Sequence, residues 1–310
     1  MAPSQHPSSE FSFDLYPGLD AELDAALERN QADGIASPEV LATRGLEHAI
    51  NDTLNRTRPN GLHVSPEVHT WADARLEQAK QKWSRHDSIV LPDLEASHPN
   101  LATVLTRLYE AQKALAASGR STPNGVPIGG TMSIVLIPWQ LFRDHSAENL
   151  TDWLNPLRLN DNISQGDYMN TDLGHAIKNS RPLYGSQSAR DYLDAKIASD
   201  GPWGIGLIQT SDEAGLQNLF GQSPDDLRAG INVDGHDVGQ LGIYEWLATT
   251  LQEDPRTLST GDYSWMLANR LTVNGVAQVP CGGWSGGRVY SRLDDAGYRD
   301  GNFRPRLAVI

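Results

Sequence analysis

The sequence predicts an α+β protein: a helical N-terminal region over residues 1–120, followed by a mixed α/β domain over 121–310 whose C-terminal part is rich in loops. Three observations predict it. Apolar residues recur with helical period in the first 120 positions, and the run Ser121-Thr-Pro-Asn-Gly-Val-Pro-Ile-Gly-Gly130 breaks that period with turn formers. Beyond it, short apolar runs alternate with glycine, and six of the eight tryptophans fall within 139–284.

In chain order, helices are expected from about Leu19 to Asn30, Pro38 to Leu54 and Pro66 to Trp83. Ser37 and Ser65 each precede Pro-Glu-Val. The serine caps free amides, the proline presets φ in the first turn, and the glutamate faces the positive end of the helix dipole. From Leu101, the residues Val104, Leu105, Leu108, Ala111 and Leu115 share one helical face, and Ser118-Gly119 ends that helix. Ser133–Ile137 and Gly204–Ile208 read as buried strands. Two further helices are expected, Leu241–Leu251 and Tyr263–Leu271.

Composition removes several function classes. A chain of 310 residues, 39% hydrophobic, is long enough to bury a core without covalent or metal staples. Its single cysteine, Cys281, can form no internal disulfide, thiolate zinc cage or iron–sulfur cluster. A net charge of −14 without a Lys/Arg run in the first 280 residues argues against nucleic-acid binding. With no export signal and no long apolar segment, the expectation is a cytoplasmic protein with no membrane partner, and its four Asn-x-Ser/Thr triplets are expected to be chance.

Candidate chemistry in the interior of the chain is unspecific. Asp234-Gly235-His236-Asp237 carries metal-capable side chains, but its spacing suits a tight turn better. Glu213, Glu245 and Glu253 could each join an acid–base pair, yet a chain with 39 acidic residues offers many such pairs. Phosphate-cradling glycine motifs are absent. No cofactor, metal or catalytic residue is assigned, and the protein is expected not to be an enzyme.

The informative segment is the C-terminus. Residues 281–310 hold five Arg against three Asp, a net +2 against −16 for the rest. Arg, Tyr, Asp, Ser and Asn are interleaved there with six glycines, a composition suited to recognition. From Ser285 to Ile310 there is no Lys, Glu, Gln, Met or Trp, although these types fill 44 of the first 284 positions. Composition alone leads one to expect about four.

The stretch from Gly282-Gly283-Trp284 through Arg288, Tyr290 and Arg292 to Phe303-Arg304-Pro305 and Leu307-Ala308-Val309 resembles the end of the C-type-lectin-like fold. More narrowly, it is similar to the variable proteins of diversity-generating retroelements, as are Tyr263–Leu271 and Gly242–Trp246 upstream. In that family an error-prone reverse transcriptase rewrites adenines, commonly in AAC-type codons, which cannot yield the five missing residue types. The fold is shared with formylglycine-generating enzymes, whose cysteine pair this chain lacks. It is shared too with calcium-dependent lectins, whose disulfides and calcium loop are also missing.

The resemblance implies a protein that binds another macromolecule, expected to be a protein, through a hypervariable surface over about 281–304. By analogy the ligand-binding positions are Cys281, Trp284, Ser285, Arg288, Tyr290, Arg292, Asp294, Asp295, Tyr298, Arg299, Asp300 and Asn302. Phe303, Arg304 and the terminal Leu-Ala-Val-Ile are expected to return the chain to the core. The alternative is an enzyme on a formylglycine-generating-enzyme-like scaffold with a non-oxidase activity, using Cys281 or an acidic pair.

Overall fold

In the computed structural model the described residues are 64–86, 89–144, 168–169, 171–179, 181–211, 215–227, 231–233, 235–238, 241–253, 263–285 and 288–310. The chain divides into compact units at 1–63 and 64–310, and all described residues belong to the second. The helices expected at 19–30 and 38–54 lie outside them. The architecture is α+β, and no described helix is long and apolar enough to cross a membrane.

The unit begins with helix α1 (Pro66–Trp83), where the Ser65 hydroxyl accepts from the Val68 amide at 3.3 Å and Pro66 opens the first turn. A short helix α2 (Leu94–Ser97) leads into α3 (Leu101–Ala117), whose buried stripe is Leu101, Leu105, Leu108, Ala111 and Leu115. Strand β1 (Met132–Ile137) follows, then helix α4 (Trp139–Asp144), strand β2 (Tyr168–Met169), helix α5 (Thr171–Lys178), strands β3 (Pro182–Tyr184) and β4 (Gln187–Ser188), and helix α6 (Ala189–Asp200). Strand β5 (Gly204–Gln209) pairs antiparallel with β1 from Met132↔Gln209 to Ile137↔Gly204. Both strands are nearly continuous aliphatic runs because both of their faces are covered.

A hairpin of β6 (Ile231–Val233) and β7 (His236–Val238) contains the expected turn. Gly235 takes φ +86°, and its amide donates to Asn232 Oδ1 at 2.9 Å. Helix α7 (Ile243–Gln252) is buried on every side. The remaining strands are β8 (Tyr263–Trp265), β9 (Leu271–Val273), β10 (Val276–Ser285), β11 (Arg288–Asp295), β12 (Phe303–Pro305) and β13 (Ala308–Val309). They complete two sheets, one ordered β1-β5-β13, the other β12-β8-β10-β11-β2 with β9 on β10. The terminal Leu307-Ala308-Val309 is buried, and β13 pairs with β5, so the chain end does return to the core.

Two expectations change. The helix expected over Tyr263–Leu271 is a strand, a turn and a second strand. Its apolar spacing fits either state, and tertiary pairing decides it: Trp265 lies opposite Cys281, and the Asn269 side chain is recruited to the start of α7, accepting from the Ile243 amide at 2.7 Å. The boundary expected near residue 121 does not separate compact units, since α1 and α3 belong to the same unit as the sheets.

Gln252 shows why. β1 is an edge strand, and its outward Leu136 N–H and Ile134 C=O are met by the Gln252 amide at 2.9 and 2.8 Å, as a neighbouring strand would meet them. The same Gln252 oxygen accepts from Trp83 Nε1 at 3.0 Å, joining α1 to α7 and β1. Arg85 donates to the carbonyls of Leu251, Gln252 and Glu253, and Lys82 pairs with Glu253 at 2.6 Å, so α1 also caps the negative end of α7.

Candidate interaction surface

The C-terminal candidates lie on a long antiparallel ribbon, β10 with β11, in register from Gln278↔Asp295 to Ser285↔Arg288. Its middle is buried on both faces. A Cβ on Gly282 would sit 2.8 Å from Met266 Cε and closer still to the Trp246 indole, so only glycine lets α7 approach the sheet there. On the other face Val279 and Cys281 join Trp265, Ala296 and Phe303 in a closed apolar cluster. The Asn274-Gly275 turn that precedes β10 has φ +50° and +81°, the backbone that a tight hairpin requires.

Arg292 stands at the edge of this cluster. Its guanidinium carbon lies 5.1 Å from the Tyr263 ring centroid and 5.0 Å from that of Phe303, and these rings stack on each other at 4.9 Å. Its Nε donates to Asp294 Oδ2 at 2.6 Å, and the same oxygen accepts from Cys281 Sγ at 3.2 Å. Burial, then the Asp294 charge, pushes the Cys281 thiol well above its ordinary range. Partial burial, the largest single effect, acts to lower Arg292, but Asp294 and Cys281 together outweigh it and its pKa is raised. The guanidinium is a permanent cation beside an aromatic platform.

The chain then leaves the sheet in a short polar loop pinned at both ends. Asp295 accepts from the Gly297 amide at 2.7 Å through its side chain and from the Tyr298 amide at 2.9 Å through its carbonyl. The Tyr298 hydroxyl donates to Asp300 at 3.0 Å, a bond that raises its pKa. Asp300 also accepts from the Asn302 amide at 2.8 Å. The Tyr298 ring is 40% exposed and meets Phe303 edge-on. Arg299 reaches Asp226 at 2.8 Å. Hydrogen bonds from Ser223, more than Arg299 itself, keep the Asp226 carboxyl below its usual range.

Of the expected contact positions, Asp295, Tyr298, Arg299 and Asn302 are exposed, and Arg292, Asp294 and Asp300 are half-buried around them. Cys281 does not belong with them: it is fully buried, its thiol turned to Asp294 inside the apolar cluster, so it supports Arg292 without meeting a ligand. The backbones of Trp284, Ser285, Arg288 and Tyr290 occupy the outer ribbon, with Trp284 opposite Val289 and Tyr290 opposite Gly283. Their side chains lie outside the described residues. The platform ring Tyr263 and the exposed Phe220 were not anticipated. Phe220 borders Gly301 and carries the Arg304 guanidinium 4.9 Å above its ring. Both come from distant segments, and no local motif marks them.

The interior acidic candidates do not converge on one site. Glu253 is ion-paired with Lys82, and Glu213 lies outside the described residues. Glu245, two turns earlier on α7, is 1% exposed. Its Oε1 accepts from the Tyr192 hydroxyl at 2.5 Å, while Oε2 is buried without a hydrogen bond. Burial raises its pKa, opposed by the Tyr192 bond. Tyr184, Tyr192 and Tyr244 stack beside it. No protein-family model matches the chain, and neither curated proteins nor solved structures show a significant match.

Proposed function

We propose that residues 64–310 form a binding protein that presents the outer β10–β11 ribbon and the loop after it to a protein partner. The surface belongs to a C-type-lectin-like domain and is diversified by a retroelement. The observation that carries this reading is a division of labour within 291–310. Ser291, Leu293, Ala296, Phe303 and Pro305–Val309 are buried framework, while the polar and aromatic positions between them are exposed or half-exposed. Side chains of the second group can change with little effect on the core, since exposed substitutions are usually worth within about 0.5 kcal/mol.

The missing Lys, Glu, Gln, Met and Trp of 285–310 support the same reading, because adenine-directed rewriting of AAC-type codons leaves out those types. The buried Cys281, with its raised thiol pKa, speaks against a cysteine nucleophile on the same scaffold. Sequencing the genome around the gene tests the reading. We expect a reverse-transcriptase gene and a repeat of the gene's 3′ part, with differences confined to adenines. Finding neither overturns the retroelement assignment.

A further inference from the structure

We propose that Arg292 is the anchor of this surface and that it takes a carboxylate of a protein partner, held end-on by its two terminal amino groups. The proposal rests on the binding reading above and names the chemistry that the surface recognises.

Three features of the site single out Arg292. The first is its donors. Nε is engaged by Asp294, and no oxygen of the described residues accepts from the two terminal amino groups. The side chain is 31% exposed, so those groups remain within reach of solvent. The second is rigidity. The guanidinium is held over Tyr263 and Phe303, its carboxylate partner is itself tied to the buried Cys281, and the sulfur of Cys281 borders it too. A long side chain held in place before binding loses little rotamer freedom when a ligand arrives. The third is shape. With Nε occupied, the remaining edge offers two parallel N–H groups in one plane, which matches the two oxygens of a carboxylate.

Charge narrows the class further. Asp294 already offsets the guanidinium charge and the chain carries −14 overall, so the site has no surplus of positive charge and a dianionic phosphate meets about twice the net repulsion of a monoanion at the same place. A carboxylate keeps the bidentate bond with the smaller penalty. Beside it, the exposed ring of Tyr298 offers an apolar flank for the partner's carbon chain.

The test uses the full chain, labelled for observation of arginine side-chain N–H resonances and titrated with N-acetyl-glutamate N-methylamide. Its glutamine counterpart and methyl phosphate are run in parallel. We expect the Arg292 signals to move saturably in the millimolar range with the glutamate compound, and at least about fivefold more weakly with the other two, as lost charge or added repulsion dictates. Arg292→Lys, which keeps the charge and loses the planar fork, abolishes the saturable shift of the neighbouring Tyr298 ring resonances that the glutamate compound produces in the wild type, while thermal unfolding stays close to the wild type. Three results overturn the proposal: no Arg292 response, an equal or stronger response to methyl phosphate, or an equal shift of the Tyr298 resonances in Arg292→Lys. Each concerns this chain as it stands, so none depends on whether a reverse-transcriptase gene and repeat are found beside it.

Discussion

Replacing Glu245 by Gln changes how the fold responds to pH, with a sign fixed by where this carboxyl sits. It is 1% exposed, and burial, the largest effect on it, raises its pKa above the ordinary 4.5 in spite of the Tyr192 hydroxyl and the Lys196 charge. The folded chain therefore keeps a proton that the unfolded chain releases. Stability contributed by this group is fully present below about pH 4.5. It is lost as pH rises toward the folded-state value, at up to about 1.4 kcal/mol per pH unit. For a unit of this size that is roughly 3–5 °C of melting temperature per pH unit.

The buried His86 and His98 act in the opposite sense. Burial lowers both pKa values, so their contribution is lost as pH falls below about 6.5 toward the folded values. The wild-type curve mixes the two trends, and the difference between Glu245→Gln and wild type isolates the carboxyl. Gln keeps an oxygen for Tyr192, and its amide nitrogen replaces an oxygen that already lacks a hydrogen bond, so the variant's cost is a constant offset. In thermal unfolding followed by circular dichroism from about pH 4.5 to 7.5, the variant should gain on the wild type as pH rises above about 4.5, until the folded-state value is passed. Parallel curves with a constant gap would refute the argument.

Three further outcomes follow from the packing. Gln252→Leu leaves Trp83 Nε1–H, Leu136 N–H and Ile134 C=O without their partner. At about 1–3 kcal/mol for each buried orphan it should cost at least about 3 kcal/mol, and a loss below about 1 kcal/mol in denaturant unfolding would show that α1 is not fastened there. Gly282→Ala places a methyl group against Trp246 and Met266, and should cost about 1–3 kcal/mol; an unchanged melting temperature would contradict the close approach of α7. The Cys281 thiol, buried with a raised pKa, should resist a thiol reagent in the native protein and react at the rate of unfolding. Immediate native-state modification would place it at the surface instead.

What could be read from the chain follows the range of each interaction. The Ser65-Pro66 entry, the stripe of α3 and the aliphatic runs of β1 and β5 are local patterns, and each formed where its pattern lies. Asn274-Gly275, between Leu-Thr-Val and Val-Ala-Gln, is equally local and marks the β9–β10 hairpin by itself. Tyr263–Leu271 is different. Its tryptophan and leucines satisfy a helical spacing, and only the arrival of Cys281 on one side and Phe303 on the other makes Tyr263–Trp265 a strand. The glycine and proline cluster after Ser121 is a turn in both readings. That it fails to divide compact units depends on Gln252, which reaches Trp83 across 169 positions.

The same distinction bears on Cys281, which the family analogy places among the contact residues and the fold places in the core. Polar and apolar alternation reports which face of a strand is wet only when one face is wet, and at Cys281-Gly282 neither is. Among the described residues of β11 and the loop after it, exposure rises from Arg292 and Asp294, which are half-buried, to Asp295 and the loop that Asp295 and Asp300 hold in shape. Cys281 thus acts on the surface from beneath. It holds Asp294, Asp294 holds Arg292, and the guanidinium comes to rest on Tyr263 and Phe303. A substitution that removes the thiol at the loss of a single core atom, such as Cys281→Ala, should therefore loosen Arg292 before it loosens the fold.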